Sequence, residues 1–107
     1  MSAHSLTHYH APNTRSSAIQ WLFEELGSPP HDCKVLNLAK GDHKTPWYMA
    51  INPMGKVPAV VHGDTVITEA AAIALYLADL FPEAGLAPKI GDPRRGTYLR
   101  WIVFNQA

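Results

Sequence analysis

The chain has 107 residues, with 9 Lys and Arg against 9 Asp and Glu, 47% hydrophobic residues, 9 prolines and one cysteine. That length allows one compact domain and little more, and the zero net charge argues against a nucleic-acid or anionic-membrane binder, because such proteins need a basic surface. One cysteine cannot form an internal disulfide, and no apolar run reaches the roughly 20 residues of a membrane span, so we expect a cytoplasmic protein with no nucleic-acid or membrane partner.

The first third of the chain predicts a strand, a helix and a second strand. Residues 5–10 alternate in the manner of a strand, and turn-forming residues follow at 11–13. From Ser16 onward, apolar residues recur at the spacing of one helical face, and Gly27 is placed to end the helix. Those apolar residues are Ile19, Leu22, Phe23 and Leu26. The β-rich run at 32–38 predicts the second strand.

Two further helices follow. The pair Thr45-Pro46 offers an N-cap and a first helical residue, which predicts a short helix over 47–51. A longer helix is expected to reach residue 80, with Thr68 as its capping hydroxyl and Glu69 as the acid of its positive first turn.

Between these helices, residues 59–62 and 65–68 form two β-rich runs around a Gly-Asp pair, which predicts a hairpin. Proline and glycine then mark a linker over 82–92, and Asp92-Pro93 is typical of the start of one more helix. The order is β-α-β-α-β-β-α. Because a β-α-β crossover makes its strands parallel and a hairpin makes them antiparallel, we expect a mixed four-stranded sheet with helices on its faces.

Residues 52–60 (NPMGKVPAV) and 67–77 (ITEAAAIALYL) resemble the amino-terminal domain of the cytosolic glutathione transferases of bacterial type. The resemblance implies an α/β, thioredoxin-like, glutathione-binding domain over residues 1–81 and a linker over 82–92. Residues 93–107 then resemble the first helix of an all-α domain, most of which we expect to lie outside this chain.

The resemblance also implies an activity. Members of this family are detoxification enzymes that activate the thiol of glutathione, their co-substrate, for attack on a small electrophile. We therefore expect a glutathione transferase that is a homodimer in its full-length form and is inactive without its helical domain. The alternative is a non-catalytic binding or interaction module of the same fold.

Glutathione offers an ammonium, two carboxylates and an extended peptide. The resemblance implies that Val57, before a cis Pro58, pairs with that peptide, and that Glu69 accepts from the ammonium. Lys56 is expected near the glycyl carboxylate. Ala70 stands where the family often has Ser, so only its backbone N–H remains for the γ-glutamyl carboxylate, and the loss of one charged hydrogen bond weakens binding by at most about 1.5–3 kcal/mol. Thr68 or Lys56 could compensate.

Each of these residues also has an ordinary structural interpretation. Glu69 is typical of an acid at a helix start, Pro58 of a turn proline and Lys56 of a solvated surface lysine.

Catalysis in this family requires a donor that lowers the thiol pKa of bound glutathione, placed in the turn after the first strand. Thr14 is our candidate donor, with Asn13 and Ser16 as rivals and Arg15 as electrostatic support. The cysteine of the bacterial beta class aligns with Arg15, so a cysteine mechanism, including that of a glutaredoxin, is absent. The alternative is that Thr14 and Ser16 only cap the following helix.

His8 and His10 share one face of the first strand, which is a possible metal pair. Two ligands do not make a site, and no third ligand lies at a fixed spacing from them. We therefore expect no metal.

Overall fold

The structure is a computed structural model, and it describes residues 5–105. It contains four strands and four α-helices in the order β-α-β-α-β-β-α-α, with three short 3-10 turns between them. The strands are β1 Leu6–His10, β2 Asp32–Val35, β3 Ala59–His62 and β4 Thr65–Thr68; the helices are α1 Ser16–Glu25, α2 Pro46–Ile51, α3 Ala70–Leu80 and α4 Pro93–Phe104.

The strands form one mixed sheet in the order β2-β1-β3-β4. β1 and β2 are parallel, and β3 is antiparallel to both β1 and β4. The predicted fold class is therefore confirmed. The parallel pair follows from the crossover through α1, and the antiparallel pair follows from the two-residue connection between β3 and β4.

The sheet carries an apolar cluster on each face. Because successive strand residues point to opposite faces, His8 and Val60 face one side while their neighbours Tyr9 and Ala59 face the other. The larger cluster packs α1 and α3 against the sheet, and it contains Leu6, Ile19, Phe23, Leu26, Val60, Ile73, Leu77 and Phe81. The smaller cluster, on the α2 side, contains Tyr9, Leu36, Tyr48 and Ala59.

β2 is shorter than predicted. The backbone N–H of Leu36 still donates to the carbonyl of His10 at 2.8 Å, but Asn37 then begins a turn by accepting from the N–H of Lys40 through its side chain at 3.1 Å. Two 3-10 turns follow, at Leu38–Lys40 and Asp42–Lys44. The predicted strand to residue 38 was wrong at its end, because a side-chain hydrogen bond favours the turn.

Thr45 is the N-cap residue of α2 and Pro46 its first helical residue, as predicted, whereas the predicted cap at Thr68 was wrong. The Thr45 hydroxyl donates to the carbonyl of Asp42 at 2.7 Å and makes no capping hydrogen bond to α2. Thr68 is the last residue of β4, and Glu69 occupies the N-cap of α3 with a φ of 73° and no side-chain capping bond. α3 therefore begins at Ala70, one residue after a backbone conformation that L-residues rarely adopt.

The helix predicted after Asp92 is present as α4. The Asp92 carboxylate accepts from the N–H of Arg94 at 2.8 Å, and Arg95 forms an ion pair with Asp79 of α3 at 3.3 Å. α4 contains no buried residue, and its exposed apolar side chains are Leu99, Trp101, Val103 and Phe104. Within residues 5–105, no helix combines the length and apolar character needed to cross a membrane.

Candidate functional site

A cleft of about 390 Å³ opens where the turn before β3 meets the start of α3 and the start of α1. Its lining residues come from three separate parts of the chain: Arg15, Asn52, Met54, Lys56, Val57, Pro58, Thr68, Glu69 and Ala70.

The turn over residues 52–58 is fixed from the protein interior. The phenol of Tyr48, which has no exposed surface, donates to the carbonyl of Lys56 at 2.5 Å. The Asn52 amide donates to the same carbonyl at 2.9 Å. Burial raises the pKa of the Tyr48 phenol, which keeps it protonated and able to donate. The Val57–Pro58 peptide bond that follows is cis.

Gly55 lets this turn approach the segment before α2. Its φ is 61°, and a Cβ built there would lie 2.8 Å from Lys44 Nζ, 2.9 Å from Met49 Sδ and 3.0 Å from the carbonyl oxygen of His43. The positive φ favours glycine at this position, and a Cβ there would require the side-chain ends of Lys44 and Met49 to move and the His43 carbonyl to shift slightly.

The second wall is the junction of β4 and α3. The first helical hydrogen bond runs from the N–H of Ile73 to the carbonyl of Glu69 at 2.9 Å. The backbone N–H groups of residues 70–72 precede that bond, and a helix provides no carbonyl for them. Glu69 is exposed, and Ala70 is half-buried at the edge of the cleft. This end of the cleft combines one carboxylate with a helix N-terminus, whose partial charge is positive.

The turn between β1 and α1 is organised by two hydroxyl groups. Thr14 Oγ1 lies 2.7 Å from the Ala11 carbonyl oxygen and 2.6 Å from Ser16 Oγ. Ser16 has no exposed surface, and its Oγ accepts from the Ala11 N–H at 3.0 Å. Asn13 is exposed and has a φ of 62°. Ser16 therefore serves the interior of the turn.

The cleft brings together part of the predicted set. Arg15 joins the predicted ligand residues, which are Lys56, Val57, Pro58, Glu69 and Ala70. Asn13, Thr14 and Ser16 are not among the lining residues. Thr68, named above as a possible compensating contact, also lines the cleft. Sequence reasoning missed Asn52 and Met54 as lining residues, although both belong to the first motif segment and that membership was the available signal.

The histidines of β1 are packed in the interior. His8 is fully buried, and its Nδ1 lies 3.3 Å from Gln20 Oε1. Burial, aided by the charges of His10 and His31, lowers the pKa of His8 to about 4 even though the Gln20 hydrogen bond acts in the opposite direction. Among the described residues, no group of three or more His, Cys, Asp and Glu side chains is placed to hold a metal ion.

The sheet order and the placement of its helices define a thioredoxin-like fold, and similar proteins specify the family. The model of the family described as "Glutathione S-transferase, N-terminal domain" matches residues 4–79 of this chain. A stretch of 63 residues is 51% identical to glutathione S-transferase Z2 of Arabidopsis thaliana and covers 59% of this chain. A glutathione transferase homolog from Sulfitobacter, solved with bound glutathione, aligns over 94% of this chain with 36% identity and a TM-score of 0.81. A glutathione transferase from Methylococcus capsulatus aligns over 95% of this chain with 33% identity and a TM-score of 0.85.

The chain therefore belongs to the glutathione S-transferase N-terminal domain family. It spans 28% of the length of the Arabidopsis protein, and 47% and 51% of the two solved chains.

Proposed function

We propose that this chain binds glutathione in the cleft. One observation carries the proposal: the cleft gathers two cationic side chains, Arg15 and Lys56, and one carboxylate, Glu69, around an N-terminal helix end. Glutathione carries the opposite set, two carboxylates and one ammonium. The charges of ligand and site are therefore complementary, which favours this ligand over a simple anion or cation.

The γ-glutamyl end of the ligand belongs at the start of α3. Its ammonium donates to the Glu69 carboxylate, and its carboxylate accepts from the backbone N–H of Ala70 with support from the helix dipole. The peptide part extends along Val57, which precedes β3 and presents its backbone to an added strand. Lys56, and Arg15 across the cleft, suit the glycyl carboxylate at the other end.

For the transferase step, we retain Thr14 as the group that hydrogen-bonds the glutathione thiolate, with Asn13 as the rival and Arg15 as electrostatic support. Thr14 lies directly before Arg15, which lines the cleft, and its hydroxyl must turn away from the Ala11 carbonyl to reach a bound thiol. Ser16 is buried, and we assign it the role of fixing the turn rather than contacting the thiol. A hydrogen bond to the charged form of the thiol lowers its pKa, and the thiolate is the nucleophile.

The complete protein is proposed to be a cytoplasmic, homodimeric glutathione transferase that conjugates small electrophiles in detoxification. In that protein residues 1–81 are the glutathione domain, residues 82–92 the linker and residues 93–107 the first helix of an all-α domain. The exposed apolar side chains of α4 support this division, because such a helix normally buries one face against other helices.

A non-catalytic binding module is the second candidate. Two observations favour it: Ala70 supplies no hydroxyl to the cleft, and the hydroxyl of Thr14 has two inward acceptors. A protein of this kind would bind glutathione and leave the thiol pKa unchanged.

Calorimetric titration of the chain with glutathione tests the proposal. Glu69→Gln removes the partner of the ammonium, and we expect it to weaken binding at least about tenfold, since hydrogen bonds to charged groups contribute about 1.5–3 kcal/mol. Glu83→Gln, an equal change at an exposed residue outside the cleft, is the matched control and should leave affinity unchanged. Wild-type protein that does not bind glutathione, or equal affinities for both variants, would contradict the proposed site.

A further inference from the structure

We propose that His10 receives the proton of the glutathione thiol through a relay made of Ser16 and Thr14. The inference rests on the proposed binding of glutathione and adds a residue to it. His10 does not contact the thiol in this proposal; it is a positioning residue that acts through the two hydroxyl groups.

The relay is a continuous line of short contacts. His10 Nδ1 lies 2.8 Å from Ser16 Oγ, and Ser16 Oγ lies 2.6 Å from Thr14 Oγ1. Thr14 stands next to Arg15, which lines the cleft. The line therefore runs from a half-buried imidazole, through a serine with no exposed surface, to Thr14, the residue before the cleft-lining Arg15.

The Ala11 carbonyl oxygen lies 2.7 Å from Thr14 Oγ1 and 2.9 Å from Ser16 Oγ, so it competes for both hydroxyl protons. In the proposed resting state both hydroxyls instead donate along the line: a neutral His10 accepts at Nδ1 from Ser16, and Ser16 Oγ accepts from the Ala11 N–H at 3.0 Å and from the Thr14 hydroxyl. Thr14 Oγ1 accepts from the Ser16 N–H at 3.2 Å. One lone pair of Thr14 then remains, and it is available to accept from a thiol.

Ionisation of the thiol reverses the direction of these hydrogen bonds. The S–H bond breaks and its proton moves to Thr14 Oγ1, the original Thr14 proton moves to Ser16 Oγ, and the Ser16 proton moves to His10 Nδ1. The products are a thiolate and an imidazolium, and both hydroxyl groups are regenerated. Thr14 then donates to the thiolate, while Ser16 accepts from His10 and Ala11 and donates to Thr14.

The surroundings of His10 suit a proton acceptor. Imidazole is the side chain that ordinarily changes charge near neutral pH. The ring centre of His8, on the same face of the strand, is 5.4 Å away, and burial keeps His8 neutral at neutral pH by lowering its pKa to about 4. The ring of His31 is stacked 3.8 Å from the ring of Phe23. His8 therefore contributes no competing charge at neutral pH.

The variant His10→Asn distinguishes a proton relay from a hydrogen bond that only supports the structure. His10→Asn places an amide at the position of Nδ1, so the contact with Ser16 is kept while the proton acceptor is lost. His10→Phe removes both the contact with Ser16 and the proton acceptor. Ser16→Ala breaks the line between His10 and Thr14, and Ser17→Ala, an exposed serine on the same helix, is the matched control.

The measurement is the thiolate absorbance of bound glutathione as a function of pH, taken on the whole chain at saturating glutathione. Calorimetry gives the affinity of each variant, and thermal unfolding by circular dichroism shows whether it is folded. We expect His10→Asn and Ser16→Ala to raise the thiol pKa by about one unit, which is about tenfold less thiolate at neutral pH. Affinity should stay within about twofold of the wild type, and Ser17→Ala should match the wild type in both measurements.

A His10→Asn variant with the thiol pKa of the wild type would overturn the relay, because it would show that the hydrogen bond alone suffices. Should His10→Phe fail to fold, His10→Asn and Ser16→Ala still decide the question. Normal glutathione affinity with an unchanged thiol pKa in all variants overturns the relay alone. Wild-type protein that does not bind glutathione overturns the proposed function and the relay together.

Discussion

Tyr48 and Lys56 are joined by a hydrogen bond of 2.5 Å between a fully buried phenol and the backbone carbonyl of an exposed lysine. Asn52 supplies a second donor to the same carbonyl at 2.9 Å. The interior of the domain therefore fixes the residue immediately before Val57, and the side of the turn that faces the cleft remains available to a ligand. The shape of the cleft at this point is consequently a property of the core beneath it.

Removal of both the Tyr48 and the Asn52 donor should lower the free energy of unfolding by more than the sum of the two single removals. Tyr48→Phe and Asn52→Ala each leave the Lys56 carbonyl one donor, and we expect each to lower the free energy of unfolding by about 1 kcal/mol. The double variant leaves that carbonyl with neither donor, so its loss should exceed the sum of the single losses by about 1 kcal/mol. Urea unfolding of the four proteins measures this coupling, and simple additivity would contradict the shared acceptor.

Gly55→Ala should destabilise the domain more than Gly63→Ala. Both glycines have a φ of 61°, so both substitutions impose the same backbone strain. A Cβ at Gly63 meets nothing within 4 Å, whereas at Gly55 it would crowd the side-chain ends of Lys44 and Met49 and the carbonyl of His43. We expect a loss of about 1–2 kcal/mol at Gly63 and a further 1–3 kcal/mol at Gly55, measured by urea unfolding. Equal losses would show that the turn is not packed against these three residues.

Acid should destabilise the domain through His8. Its pKa is about 4 when folded, against an ordinary value of 6.5. As the pH falls from 6.5 to 4, the unfolded chain binds a proton that the folded chain does not, so the free energy of unfolding decreases. The decrease approaches about 3 kcal/mol and ends below the folded pKa. Urea unfolding at several pH values measures it.

Two variants isolate this effect from that of other acid-sensitive groups. His8→Leu keeps an apolar side chain in the core but cannot titrate, and its stability should depend less on pH between 6.5 and 4 than that of the wild type. His43→Gln removes a histidine outside both apolar clusters and should retain the wild-type dependence. If His8→Leu showed the full wild-type dependence, another group would be responsible.

Ala70→Ser should strengthen glutathione binding. It adds a hydroxyl at the helix start that borders the cleft, where the γ-glutamyl carboxylate is proposed to bind. One hydrogen bond to a charged group contributes about 1.5–3 kcal/mol, so we expect the dissociation constant to fall at least about tenfold in calorimetry. Ala72→Ser, at an exposed position of the same helix, should leave the affinity unchanged. An equal gain in glutathione affinity in both variants would contradict the proposed position of the γ-glutamyl carboxylate at Ala70.

Most of the fold was predictable because its signals are local. The apolar spacing within 16–26, the Gly-Asp pair at 63–64 and the Asp92-Pro93 start each concern a few consecutive residues, and the corresponding elements are present. The errors occurred at element ends, where a side chain had more than one possible partner. Asn37 begins a turn where the second strand was predicted to continue, and Thr68 completes a strand instead of capping α3.

The candidate site was only partly predictable from the sequence. The two motifs identified the turn and the helix start, and the cleft does contain the predicted ligand residues of both. That Arg15 joins them depends on how α1 packs against the sheet beside α3, which no local pattern reports. For the same reason the inward contacts of Thr14 and Ser16, on which the catalytic assignment depends, were visible only in three dimensions.

The amino-acid sequence by itself determined the order of the elements, the mixed sheet and the family, because periodicity, turn chemistry and motif spacing are properties of neighbouring residues. Only the tertiary structure decided which groups meet. The sharing of one carbonyl by Tyr48 and Asn52, the burial that holds His8 neutral, and the line from His10 to Thr14 all depend on distances between atoms. Hydrogen bonding and desolvation act over a few ångströms in space, whatever the separation along the chain.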